Sequence, residues 1–209
     1  MQASPDAPLV RALSRHDDPA AVLPAVVGLV HEAGNPYFDW FFGDPEQTAA
    51  TLGAWMRRPS SELWLERVAL ALLGDEAVGM YLALPGRELQ QCRQQDTLAL
   101  LKTVGHDPTA RAALHERIEV SKDLFAPVGP DEFYLSKMGV LPAHRGKGLG
   151  GALTNAFLAA GRAAGFDRFR LDVSADNEPA VRLYASSGFR VESGSEAAGL
   201  RYLAMRRDT

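Results

Sequence analysis

The rhythm of apolar positions changes several times along this chain, and each change predicts an element. Residues 8–13 (PLVRAL) read as a short first strand. Residues 17–34 (DDPAAVLPAVVGLVHEAG) read as a helix with Asp18 as N-cap, Pro19 at its first position and Gly34 as its stop. The aromatic stretch 35–44 (NPYFDWFFGD) reads as a loop, and a helix follows from 45 to about 57. From 63 to 84 (LWLERVALALLGDEAVGMYLAL) two apolar runs flank a Gly74-Asp75 turn, which predicts a hairpin of buried strands. Residues 86–130 then predict two polar-faced helices. Leu98, Leu100, Leu101 and Val104 form the apolar stripe of the first, and Ala113, Leu114, Ile118 and Leu124 that of the second.

The remaining chain alternates element types. A strand over 132–140 (EFYLSKMGV) leads into a glycine loop and a helix ending at Gly165. A strand over 168–174 (RFRLDVS) precedes a helix with Asn177 as cap, Pro179 in its first turn and Gly188 as stop. Two final strands close the chain, so the C-terminal half is β-α-β-α-β-β, an α/β layout with a mixed sheet.

Composition adds bounds. The 209 residues suffice for one domain over 1–209, and 46% hydrophobic with 23% charged residues is ordinary for a globular protein. A net charge of −4 argues against a nucleic-acid-binding surface. The apolar run 20–30 is too short for a membrane span, is broken by Pro24 and follows two aspartates, so it reads as a buried helix of a cytoplasmic protein. The one cysteine, Cys92, cannot form an internal disulfide, which fits a reducing compartment. HEAGN at His31 and HERIE at His115 both lack a second histidine four positions on, so no metal site is expected.

The strongest chemical signal is HRGKGLGG at residues 144–151, four glycines and two cations suited to a phosphate. Gly146, Gly148 and Gly151 satisfy the GxGxxG dinucleotide pattern, and Asp172 sits where a ribose-binding acid would. Against that, LPAHR separates the loop from its strand, and only 37 residues follow Asp172, too few for the rest of a doubly wound sheet. A P-loop fails because Lys147 is not followed by Ser or Thr.

Read differently, MGVLPAHRGKGLGGAL followed by NEPAVRLYASSGF puts the downstream sequence to use as well. Val140, Pro142, Arg145, Gly146, Gly148 and Gly150, then Asn177, Ala180, Leu183, Tyr184, Gly188 and Phe189, resemble the paired motifs of the GNAT superfamily of acyl-CoA-dependent N-acyltransferases. The motif-bearing part covers 132–191. The resemblance implies a GNAT fold, a mixed central sheet flanked by helices, here with a helical insertion over 86–130 between the hairpin and the CoA-binding strand. It implies acetyl-CoA as co-substrate without a metal. It maps coenzyme binding to Met138, Gly139, Val140, Arg145, Gly146, Lys147, Gly148, Leu149, Gly150, Gly151, Asn177 and Tyr184. Physics agrees, since a helix N-terminus offers unpaired N–H groups and the positive end of a dipole to a pyrophosphate.

By the same resemblance, Tyr184 donates a proton to the departing thiolate, and Asn177 binds the pantetheine arm. A core tyrosine and a plain helix cap are the simpler readings of these two residues. An amine with a pKa near 10.4 is neutral in only about one molecule in two thousand at pH 7, so a proton acceptor helps. Glu132, thirteen residues before Arg145, is the first candidate; a solvated strand-end glutamate and a water chain are its competitors. Alternation places Glu132, Tyr134, Ser136 and Met138 on one face. The insertion resembles the plan of antibiotic-modifying members, and Tyr37, Asp39, Trp40 and Phe41 are candidates for a pocket holding a cationic, partly apolar amine. The expected partners are acetyl-CoA and an amine acceptor, small molecule rather than protein. No nucleic acid or membrane partner is expected, and the chain is expected as a monomer or homodimer. A non-catalytic acyl-CoA-binding or sensor domain is the alternative.

Overall fold

A computed structural model describes residues 9–13 and 17–209; Pro8, the first residue of the expected opening strand, lies outside them. The elements run β1 (Leu9–Ala12), α1 (Pro19–Gly34), α2 (Tyr37–Phe42), α3 (Pro45–Met56), β2 (Val68–Leu73), β3 (Glu76–Pro85), α4 (Gly86–Thr103) and α5 (Pro108–Leu124). They continue with β4 (Glu132–Val140), α6 (Leu149–Ala163), β5 (Arg168–Ser174), α7 (Glu178–Ser186), β6 (Arg190–Ala197) and β7 (Leu200–Asp208). All strands join one seven-stranded sheet in the order β1-β2-β3-β4-β5-β7-β6. Among the described residues only the β4–β5 pair is parallel.

The helix starts follow from local chemistry. Asp18, Asp44 and Asp107 each precede a proline and accept a first-turn backbone N–H, on Ala20, Gln47 and Thr109 respectively. Both faces of the sheet are covered, so the central strands read as unbroken apolar runs. Leu29, Leu52, Leu70, Met80 and Leu82 belong to the core under the N-terminal helices. Ala71, Phe133, Leu153, Phe157 and Phe169 belong to the core under α6.

The structure departs from the sequence expectations in four places. The aromatic stretch is not a loop; residues 37–42 form α2, with Asn35 accepting the Asp39 N–H and Gly43 (φ +77°) ending the turn. The first hairpin strand begins only at Val68, because Leu65–Arg67 winds into a 3₁₀ turn. The buried side of α4 carries Leu89, Cys92 and Asp96, whereas Leu98 stays 49% exposed. Finally, strict alternation along β4 fails. Leu135 pairs with Ala83 and Lys137 with Leu82, leaving Ser136 as an extra residue, a β-bulge. Beyond it the faces exchange: Tyr134 packs in the core under α1, while Met138 packs with the α6 core.

Candidate active site

Parallel pairing between β4 and β5 runs only from Glu132/Arg168 to Leu135/Leu171. Past that point β4 stays with β3 and β5 with β7, so the two strands part. A cavity of about 70 Å³ lies in the resulting wedge, between Ser136, Lys137 and Met138 on one side and Asp172, Val173 and Ser174 on the other. Asn177 and Tyr184, brought in by α7, complete its lining.

The glycine loop leads into α6 beside this wedge. Its two inner glycines are required by backbone conformation: Gly146 and Gly148 adopt φ of +74° and +82°. Gly148 is the helix N-cap and supplies no side-chain cap, in contrast to the capped α1, α3, α5 and α7. The first bond at this end runs from the Ala152 N–H to the Gly148 carbonyl, so the N–H groups of Leu149, Gly150 and Gly151 precede the helical ladder. Gly150 has a packing role besides the one its motif suggests. A Cβ there would lie 2.8 Å from Leu183, so its bareness lets α6 and α7 pack together. Arg145 donates to the Val140 carbonyl (3.0 Å) and pairs with Glu32 of α1, which ties the loop to the end of β4. Lys147 is exposed. Gly139 allows β4 to approach α1, since a Cβ would sit 3.0 Å from the Leu29 carbonyl oxygen.

Tyr184 is buried, and burial holds its phenol above the ordinary value, so it remains protonated at neutral pH. Its hydroxyl faces the Met138 sulfur at 3.8 Å. Asn177 caps α7 through the Ala180 N–H (3.2 Å) and lines the wedge as well.

A second cavity, about 1190 Å³, opens on the other side of Lys137, the one residue among those described that lines both. Its walls include Tyr37, Phe38, Phe41 and Phe42 of α2, Trp55 of α3 and the facing sides of α4 and α5. A buried polar chain joins the two cavities. The Tyr134 hydroxyl donates to Asp172 (3.0 Å), and Arg93 donates to the Tyr134 oxygen (3.2 Å) and to Glu62 (2.9 Å). Ser136 donates to the other Glu62 oxygen (2.6 Å). Lys137 donates to the Ser136 carbonyl (3.0 Å) and lies over the Phe38 ring. Burial would raise Glu62, but Arg93 and Lys137 outweigh it and bring the carboxyl down to about 2. Burial pushes Asp172 up despite Arg170 and the Tyr134 hydroxyl, and burial also pushes Lys137 down.

The fold thus gathers Met138, Asn177 and Tyr184 at the wedge and sets Arg145 to Gly151 in the loop and first turn of α6 beside it. Glu132 lines neither cavity. It sits where β4 and β5 are still paired, and its carboxylate accepts the Gly129 N–H at 2.5 Å. Tyr37 and Phe41 line the large cavity, whereas Asp39 turns to His31 (3.1 Å) and Trp40 lines neither. Sequence reasoning missed Glu62, Arg93, Tyr134 and Lys137. The available signal was a charged residue well inside a central strand, Lys137 in β4 and Asp172 in β5.

A family model described as the acetyltransferase (GNAT) family matches residues 29–189. The chain is 31% identical over 194 residues to a mycothiol acetyltransferase of Actinosynnema mirum, covering 79% of this chain and 64% of that protein. It is 51% identical over 63 residues to a mycothiol acetyltransferase of Thermobispora bispora, covering 30% of this chain and 20% of that protein. The chain therefore spans less than two thirds of these relatives. Among solved structures, an N-acetyltransferase from Staphylococcus aureus Mu50 superimposes with a TM-score of 0.71 at 14% identity, over 95% of this chain and 99% of that one.

Proposed function

The chain belongs to the GNAT acetyltransferase family, and we propose on that premise that it moves an acetyl group from acetyl-CoA to a primary amine by direct attack in a ternary complex. The observation that carries this reading is the wedge: β4 and β5 part after Leu135 and Leu171, and Tyr184 faces the opening. In this reading the pyrophosphate rests on the N–H groups at the start of α6, from Gly148 to Gly151, with Arg145, Gly146 and Lys147 completing the loop. The pantetheine arm follows β4 along Met138, Gly139 and Val140 and is held by Asn177. The acceptor enters through the large cavity and meets the thioester near Lys137.

Attack by the amine forms the C–N bond and a tetrahedral oxyanion, which a backbone N–H of β4 stabilises. The amine proton passes to the Tyr134 oxygen as the Tyr134 proton passes to Asp172. That hydrogen bond links the acceptor cavity to the wedge, and a carboxyl raised by burial is better matched to accept a proton near neutrality than Glu62. Collapse breaks the C–S bond, and Tyr184 protonates the leaving thiolate. Cys92 lines neither cavity and burial raises its thiol, which supports transfer without an acyl-enzyme.

CoA release from acetyl-CoA, measured across a panel of primary amines, tests this reading. Double-reciprocal plots are expected to intersect; parallel plots or an acetylated Cys92 overturn direct transfer, and silence with every amine points to the binding-only alternative.

A further inference from the structure

We infer that the acceptor is a primary amine carried on a flat aromatic body of drug size, seated between α2 and the inserted helices; this deepens the transfer reading above and rests on it. Size comes first. The acceptor cavity, at about 1190 Å³, lies just above the range of about 300–1,000 Å³ for small-molecule sites and far exceeds what a linear polyamine or a single amino acid fills.

The walls give the chemistry. One side is a row of rings from α2 with Trp55 of α3 behind it, and Phe125 after α5 meets the Tyr37 ring edge-to-face at 5.0 Å. The Tyr37 hydroxyl bonds Ser121 at 2.7 Å, which fixes α2 against α5 and holds the slot open at a set width. Leu98, 49% exposed, also lines the cavity, so its apolar character extends to a residue open to solvent. Rings stack and tilt against such walls with little loss of conformational freedom.

Polar side chains also line the cavity along α4 and α5, among them Gln90, Gln94 and Thr97, but the hydrogen-bonded cluster lies elsewhere. Glu62, Arg93, Tyr134 and Lys137 are joined by the hydrogen-bonded chain, at the side where the cavity meets the wedge through Lys137. The lining carboxylates are already paired, Glu62 with Arg93 and Asp96 with Arg58. A ligand carrying one amine toward the wedge and an uncharged body toward α2 complements that distribution. A polycation would instead bring further ammonium groups against aromatic and aliphatic walls and beside Arg87, Arg93 and Lys137.

The test is equilibrium binding to the full chain in complex with CoA, using butylamine, 2-phenylethylamine and 2-(4-biphenylyl)ethylamine, with spermidine and a lysine-containing hexapeptide for contrast. Affinity is expected to rise by about tenfold or more for each ring added, the gain from burying an aromatic ring. Phe42→Ala should flatten that gradient, and Phe42→Leu should restore part of it. A flat series, or tighter binding of spermidine or the peptide, overturns the inference. CoA release in the presence of acetyl-CoA is read separately. A binding gradient without release leaves the aromatic assignment standing and removes acetyl transfer, whereas release without a gradient does the reverse.

Discussion

The Tyr184 hydroxyl stands 3.8 Å from the Met138 sulfur, across the wedge opened by the parting of β4 and β5. The contact brings α7 and β4 together at the point where a thioester sulfur is expected, and a soft sulfur is a weak acceptor that leaves the phenol proton available. Tyr184→Phe is therefore expected to lower kcat by roughly tenfold to a thousandfold with acetyl-CoA affinity unchanged. Steady-state kinetics with calorimetry check it; wild-type turnover would assign Tyr184 to packing alone.

Gly148 and Gly150 should separate under mutation. Nothing lies within 4 Å of a Cβ at Gly148, so Gly148→Asp strains only the φ of +82° and places a carboxylate at the start of α6. Acetyl-CoA binding should be lost, with a stability cost of about 1 kcal/mol. Gly150→Ala meets Leu183 at 2.8 Å and should cost about 1–3 kcal/mol of stability. Thermal melts and calorimetry on both variants distinguish the two effects.

The proton route predicts unequal carboxylates. Asp172→Asn should slow turnover about a hundredfold and remove the acid limb of the pH–rate profile. Glu132→Gln keeps an oxygen for the Gly129 N–H and should stay within about twofold of wild type. A reversed outcome would return the base to Glu132.

Stability should fall in acid through Glu62. Its folded pKa, about 2, lies below the ordinary 4.5, so its contribution is present above pH 4.5 and is lost as pH falls toward 2. Asp96 works in the opposite sense. Burial raises it to about 6, so its contribution is present below pH 3.8 and is lost as pH rises through 6. Urea titrations from pH 3 to 7 on Glu62→Gln and the parent chain should show the parent losing the larger share of its stability at the acid end. Equal losses would remove Glu62 from the balance.

Much of this was legible because it is local. An aspartate before a proline caps a helix wherever it occurs, and Asp18, Asp44 and Asp107 all do so. The glycine loop and the Asn177–Tyr184 segment declare themselves by spacing. The polar chain does not, because Glu62, Arg93 and Asp172 come from distant stretches and meet only when α4 lies over the sheet. The extra residue in β4 is likewise invisible locally, since a bulge exists only relative to a partner strand, here β3. Nor is the hydrogen bond from the Gly129 N–H to the Glu132 carboxylate visible locally, since it depends on how the turn before β4 closes.

Ser136 also sets the parity of everything downstream in its strand. If Ser136 paired as an ordinary strand residue and strict alternation were kept, Met138 would turn toward α1 and Gly139, with no side chain, would face α6. The helix now resting on the bare backbone of Gly139 would meet a thioether instead, and Tyr184 would lose its neighbour. A slip of one residue in pairing, with no change of composition, would thus exchange the two sides of β4 beyond Leu135.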